Sequence, residues 1–295
     1  MTDPSLDPAR LARFRRRNRL QAAGLLAVLA AVLVAIADLL AGGPGIAIAL
    51  GIVVGAAVLA PRAAPELMLR VLRARPLDRW RHPAIYDRLD RVAIRAGLDR
   101  LPGLVVVPSV EPVAFSLSTR RGPVVGLSTG AIETLGLREM TAVLAHEVAH
   151  LASGDSAIMA LSEIMGRLVR GFAVVGLALA AVLSITGGGD PIPAGTVAAL
   201  VVAPFATLLL QTALARNREF DADQSAIELT GDPAALAVAL RRIELEQAFL
   251  WRRLLPRRAR VTPPGWLRTH PATEARIARL RAMTGGPGGD PAATD

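Results

Sequence analysis

Two pairs of long apolar segments constrain the fold of this chain more than any other feature of its sequence. Each pair is interrupted by a short break rich in glycine and proline, and the four segments run at about 20–40 and 45–60, then about 168–186 and 193–214. A helix of about 20 apolar residues is long enough to cross the hydrocarbon core of a bilayer. The pattern therefore predicts two transmembrane helical hairpins, at 20–61 and 158–214. A buried soluble hairpin is the alternative for the second pair, because one of its limbs is short.

Arginine residues flank the apolar segments and indicate which side of the membrane the polar regions occupy. The chain has a net charge of +9, and its basic residues cluster at Arg10–Arg19, at Arg62–Arg81, and at Arg216 and Arg218. Basic residues next to membrane spans favour the cytoplasmic side. We therefore expect a multi-pass protein of the plasma or inner membrane that faces the cytoplasm with its polar regions. The sequence carries no recognisable nucleic-acid-binding motif, so the expected partner of this charge is the lipid bilayer.

The polar segments outside the hairpins predict one domain in two halves. We interpret 1–19 as a basic cytoplasmic N-terminus, 62–157 and 215–283 as the two halves, and 284–295 as a disordered tail. Apolar periodicity predicts helices at 82–97, 137–152, 233–254 and 271–283. Short β-branched runs predict strands at 104–107, 113–117 and 124–127. The fold class is thus an integral membrane α+β protein that is mostly helical and has a small sheet.

A His-Glu-x-x-His motif is the strongest chemical signal in the sequence. His146 and His150 are four apart on a predicted helix, so both imidazoles lie on one face and can bind one metal ion. Glu147 is placed to act as the general base on water. The chain has no cysteine, which excludes thiolate metal ligands and a cysteine nucleophile. The structural alternative is a pair of polar residues on a surface helix.

A third metal ligand must come from elsewhere in the chain, because a catalytic zinc usually has three protein ligands. Glu219 and Asp223 are candidates, since they are four apart on the helix predicted to follow the last apolar segment. One carboxylate can bind the metal while the other orients a ligand imidazole. A charged helix with Arg–Glu pairs explains the same spacing, and the residues alone leave both readings open.

The two motifs together resemble those of the HtpX-like membrane zinc metalloproteases, which are relatives of the CAAX prenyl endopeptidases. The resemblance covers nearly the whole chain and includes the pattern Arg-x-x-Glu-Phe-x-Ala-Asp, which is found here at Arg216, Glu219, Phe220, Ala222 and Asp223. It implies a gluzincin-like protease domain that holds one Zn²⁺ per chain. It also implies that Glu219 is the third zinc ligand, that Asp223 supports a ligand histidine, and that Arg216 is a structural charge partner.

The resemblance assigns roles to two further segments. It implies that His270, which precedes Pro271, stabilises the oxyanion that develops during hydrolysis. It also places a substrate-binding segment at Val113, Ala114 and Phe115. The family has asparagine where this chain has Val113, a departure that concerns substrate contact and leaves the metal and the base unaffected.

The expected function is that of a zinc metalloendopeptidase of the EC 3.4.24 type. Its expected substrates are peptides or membrane proteins, in membrane protein quality control under stress or in processing. The alternative is a catalytically weak or inactive membrane scaffold of the same fold. The sequence sets neither the substrate nor the oligomeric state.

Overall fold

The computed structural model describes residues 8–187, 193–254 and 273–283, which form two compact units. One unit comprises residues 19–61 and 157–217 and contains the apolar segments. The other comprises the described residues within 8–18, 62–156, 218–254 and 273–283 and contains the sheet and the His-Glu-x-x-His helix. The helices are α1 Pro8–Val71, α2 Pro83–Arg95, α3 Thr129–Thr134, α4 Leu137–Ser153, α5 Asp155–Thr186, α6 Ala194–Thr230, α7 Pro233–Leu254 and α8 Thr273–Met283.

The apolar unit contains three stretches of helix that are long and apolar enough to cross a membrane. They are Leu20–Gly55 in α1, Leu161–Thr186 in α5, and Ala194–Thr230, which is all of α6. The stretch in α5 begins earlier than the predicted start at about residue 168. Its additional turns include the charged residue Glu163, whose carboxylate accepts hydrogen bonds from Arg167 Nε at 2.8 Å and Arg170 NH2 at 3.2 Å.

The first two predicted apolar segments both lie in α1, which is interrupted at one residue. Gly42 has φ 57° and ψ −146°, a conformation outside the helical region that favours glycine. A methyl group added at Gly45 would clash with the carbonyl oxygen of Ala37. A straight helix would hold these two residues about 12 Å apart. The chain therefore bends sharply at the predicted break.

Side chains from several of these helices form the interior of the apolar unit. Buried members include Leu29, Leu33 and Ile36 of α1, Val169 of α5 and Leu200 of α6. The outward-facing residues of the same helices are mostly apolar as well, as expected for a unit whose surface contacts lipid rather than water.

The other unit is built on a small mixed sheet. Its strands are β1 Arg75–Pro76, β2 Gly103–Val107, β3 Ala114–Thr119 and β4 Gly122–Ser128, in the order β1-β2-β4-β3. The strand β4 pairs in parallel with β2 and antiparallel with β3, so β3 is an edge strand of this sheet. The helix α4 packs against β3 and β4 and against α2 and α7.

Local sequence fixes where α4 begins and ends. At its start, the side chain of Glu139 accepts a hydrogen bond from the backbone N–H of Gly136 at 3.0 Å. At its end, Gly154 adopts φ 70°, the left-handed conformation that commonly terminates a helix. The residues Met140, Leu144 and Val148 bury one face of α4 in the core, which holds the helix rigidly while His146 and His150 project from its other side.

Candidate metal centre

The two histidines of α4 lie side by side, as their spacing predicts. Their Nε2 atoms are 3.2 Å apart, and the two rings are nearly perpendicular, at 87°. His146 is buried, with 8% of its surface exposed, and His150 is half-buried. Two imidazole nitrogens at this separation can donate to one metal ion.

The helix α6 brings Glu219 to the same point. Its Oε2 lies 3.5 Å from Nε2 of His146, and its Oε1 lies 3.9 Å from Nε2 of His150. One ligand atom from each of the three residues lies within 4.8 Å of the other two. Within residues 8–187, 193–254 and 273–283, no other group of three potential ligands comes this close together.

The next turn of α6 supplies the partner of His146. Asp223 is almost fully buried, and its Oδ1 lies 3.1 Å from Nδ1 of His146. This carboxylate favours a proton on Nδ1, which leaves the lone pair of Nε2 directed at the metal position. The imidazole is therefore oriented before any metal arrives.

Arg276 of α8 contacts both carboxylates. Its Nε donates to Oδ2 of Asp223 at 2.7 Å, and its NH2 donates to Oδ1 at 2.5 Å. Its NH1 lies 3.2 Å from Oε2 of Glu219. The guanidinium is buried, and its charge offsets part of the negative charge that the two carboxylates create.

The local electrostatics separate the two histidines. Burial alone would lower the pKa of His146, but its hydrogen bonds to Asp223 and Glu219 outweigh that effect and raise the pKa to about 10. Burial, together with the charge on His146, lowers the pKa of His150 to about 4. Without a metal, His146 at neutral pH therefore carries a proton on both ring nitrogens, and a metal ion must displace the proton on Nε2, while His150 is neutral and ready to bind a cation.

The donor set fits a divalent zinc ion. Two imidazole nitrogens and one carboxylate oxygen are a common set of ligands for catalytic zinc, and an open fourth position serves water or substrate. The carboxylates of Glu147, Glu219 and Asp223 carry two more charges than the guanidinium of Arg276 offsets, and a divalent cation would balance this difference. Glu147 is buried next to His146. Burial alone would lower the pKa of Arg276, but Asp223 and Glu219, with a smaller contribution from Glu147, outweigh it and raise that pKa.

The predicted substrate segment lies at the beginning of the edge strand. The backbone N–H of Val113 donates to Oγ of Ser128 at 2.9 Å, and its carbonyl accepts from the N–H of Ser128 at 2.9 Å. Ala114 and Phe115 are the first residues of β3, and the ring of Phe115 packs directly on Gly126 of β4. Val113 is thus held through its backbone N–H and carbonyl, and any residue other than proline could make the same two hydrogen bonds.

The assignments of two further predicted residues are not tested by this geometry. Arg216 is half-buried on α6, and its assignment as a charge partner stays a prediction. His270 lies outside the described residues, so its assignment stays a prediction as well.

Sequence reasoning missed Arg276. The sequence did predict a helix after the His-Pro pair, and the surplus of acidic residues in the motifs indicates that a buried cation is needed. That helix contains several arginines, however, and the sequence does not show which of them meets the carboxylates.

Comparison with known proteins places these features in a family. The model of peptidase family M48 matches residues 79–284. A protein named protease HtpX homolog from Methylibium petroleiphilum is 33% identical over 286 residues, which are 90% of this chain and 98% of the relative. A protein of the same name from Burkholderia thailandensis is also 33% identical over 286 residues and is covered to 97%.

The fold is also found in a solved structure. The crystal structure of Ste24p from S. mikatae matches with a TM-score of 0.53 at 16% sequence identity. The match covers 91% of this chain and 66% of the Ste24p chain. At this identity the likeness concerns the fold alone.

Proposed function

This chain belongs to peptidase family M48 and is a membrane metalloprotease, and we propose that it is a zinc endopeptidase whose metal is bound by His146, His150 and Glu219. The observation that carries the proposal is the convergence of these three side chains, whose ligand atoms lie within 4.8 Å of one another. The residues come from two helices that are far apart in sequence. A cluster without function has no reason to bring three such groups together and to orient one of them with a buried fourth, Asp223.

Each residue of the centre has a distinct task in the proposed reaction. Zinc, when bound, polarises water and the scissile carbonyl at neutral pH. Glu147 accepts the proton of the attacking water and passes it to the nitrogen of the leaving amine. Asp223 keeps His146 in the tautomer that leaves Nε2 free. We assign to His270 the donation of a hydrogen bond to the developing oxyanion. Its place in the sequence supports this, three residues before the helix that carries Arg276.

The edge strand β3 is the proposed binding site for substrate. An extended peptide that pairs with the outer edge of β3 would gain backbone hydrogen bonds without regard to its sequence. Because α4 packs against β3, this edge runs beside the helix that carries Glu147. Val113, Ala114 and Phe115 lie at or just before the start of the strand and would contact the substrate there.

The apolar helices suggest where the enzyme works. We propose that the chain is a multi-pass protein of the inner membrane whose catalytic unit faces the cytoplasm, as the arginine clusters beside the spans indicate. Membrane proteins with exposed cytoplasmic segments are then its substrates, and quality control or processing of such proteins is its role.

The proposal is tested with full-length protein purified in detergent. Casein cleavage is measured for the wild type, for Glu147→Gln, and for Glu133→Gln, which removes an exposed carboxylate elsewhere in the same unit. We expect Glu147→Gln to reduce cleavage by about 10²–10⁴-fold and Glu133→Gln to cleave like the wild type. A chelator should abolish cleavage, and added zinc should restore it. Equal cleavage by Glu147→Gln would refute the proposed base, and a zinc-loaded wild type that cleaves nothing would favour the scaffold.

A further inference from the structure

We propose that Arg276 is a positioning residue that assembles the metal centre from the C-terminal helix α8. The inference rests on the proposed zinc site, and it adds a requirement that the ligand set alone does not contain. Arg276 touches neither the water nor the substrate in this account. It acts through Asp223 and Glu219, which it holds in the orientation that the metal needs.

The contacts of Arg276 use three of its nitrogen atoms on two carboxylates. Nε and NH2 form a fork on Asp223, with distances of 2.7 Å and 2.5 Å, while NH1 lies 3.2 Å from Oε2 of Glu219. A planar guanidinium presents donors in the fixed geometry that such a fork requires. A lysine ammonium in this place could neutralise charge but could not hold both carboxylates in these positions.

The need for a cation follows from the spacing on α6. Glu219 and Asp223 are four residues apart, so their carboxylates lie on the same face of the helix and repel each other. Asp223 is almost fully buried and Glu219 is largely shielded from water, which strengthens that repulsion. Arg276 lies against both and removes the conflict. Without it, the repulsion would turn one carboxylate away, and this disrupts the ligand set.

A chain of contacts then links α8 to the metal position. Arg276 fixes Asp223, Asp223 accepts from Nδ1 of His146 at 3.1 Å, and His146 presents Nε2 to the metal. Removal of a group that orients a metal ligand in this way typically weakens metal binding by about 10–100-fold. Arg276 should therefore influence metal affinity although it binds no metal.

A purely structural role for Arg276 makes a different prediction. If Arg276 only attached α8 to α6, removing another residue that attaches the same two helices should change zinc binding by the same amount. The chain offers such a residue in Arg279, whose guanidinium lies 4.5 Å from the centre of the ring of Phe220 on α6. Arg279→Gln therefore serves as a matched control, because it removes the same charge from α8 one turn further on.

The experiment measures the zinc dissociation constant of the full-length protein by competition with a chelator. The variants are Arg276→Gln, Arg276→Lys, Arg279→Gln and Asp223→Asn, and thermal unfolding of each zinc-free protein is followed in parallel. We expect about 10–100-fold weaker zinc binding for Arg276→Gln, a smaller loss for Arg276→Lys, and a wild-type constant for Arg279→Gln even if its melting temperature falls. Arg276→Lys also keeps the test informative if Arg276→Gln does not fold.

A double variant tests whether Arg276 acts through Asp223. If it does, the double variant Arg276→Gln/Asp223→Asn should bind zinc about as weakly as whichever single variant has the lower zinc affinity. Both changes break the same chain of contacts, so the second adds little to the first. Wild-type zinc binding by Arg276→Gln, or losses that simply add in the double variant, would overturn the inference. A wild type that binds no zinc would instead refute the proposed metal site itself, so the two failures are distinguishable.

Discussion

The hydroxyl of Ser128 is a single buried group on which the edge of the sheet depends. Ser128 is fully buried at the end of β4, and its Oγ accepts two backbone hydrogen bonds. One comes from Val113 at 2.9 Å, just before β3, and the other from Ala131 at 3.0 Å, in the first turn of α3. The substitution Ser128→Ala leaves both N–H groups without this acceptor.

The expected cost can be worked out from these two bonds. Loss of a serine cap at the start of a helix costs about 1 kcal/mol. A partly buried N–H without a partner, here that of Val113, costs about 1–2 kcal/mol. The sum of about 2–3 kcal/mol corresponds to a fall of about 5–10 °C in melting temperature for a unit of this size. Substrate cleavage should fall as well, because the residue before β3 loses one of its two hydrogen bonds to residue 128.

Circular dichroism of the detergent-solubilised protein measures the melting temperature. The control is Ser118→Ala, which removes an exposed hydroxyl from β3 itself. We expect the control to change stability by less than about 0.5 kcal/mol. A melting temperature for Ser128→Ala that equals that of Ser118→Ala would refute the reasoning, since it would mean that the two N–H groups find other acceptors at no cost.

Three further predictions concern substrate contact, proton balance and topology. Gly126→Ala places a methyl group in the ring of Phe115, so we expect a loss of about 1–3 kcal/mol in unfolding free energy and altered cleavage of peptides; unchanged melting and cleavage would contradict this packing. Because the pKa of His146 is raised to about 10, zinc must displace a proton. Calorimetry in two buffers at pH 8 should therefore show about one proton released per zinc, with affinity rising about tenfold per pH unit from about pH 7 to 9; zinc binding without proton release would contradict it. The chain has no cysteine, so Arg121→Cys gives a unique label, which an impermeant maleimide should reach only in inverted vesicles; labelling of intact cells would refute a cytoplasmic catalytic unit.

Long helices were predictable from the sequence because the signal that identifies them, a periodic or continuous apolar pattern, lies within the segment itself. The predicted helix at 233–254 coincides with α7, and the strand predicted at 104–107 differs from β2 by one residue. Two short elements were missed. The strand β1 has two residues and exists only through its pairing with β2, while α3 has six residues, too few to show a period. Both depend on contacts that are distant in sequence.

The residues of the candidate site also differ in how far local sequence indicates them. His146 and His150 could be proposed as ligands from the sequence because one helix sets their geometry. Glu219 was singled out as the third ligand through the family resemblance, because spacing alone could not distinguish a ligand from an ion-paired helix. Arg276 was missed, since only the packing of α8 against α6 decides which of its arginines faces the carboxylates.

X-ray absorption at the zinc edge of the purified full-length protein tests the central claim most directly. We predict one zinc per chain with only nitrogen and oxygen donors at about 2.0–2.2 Å, and scattering from two imidazole rings, those of His146 and His150. Replacement of Glu219 by glutamine should weaken zinc binding while the protein stays folded. A folded wild type without zinc, or a zinc that is coordinated by a third imidazole in place of the carboxylate, would contradict the account.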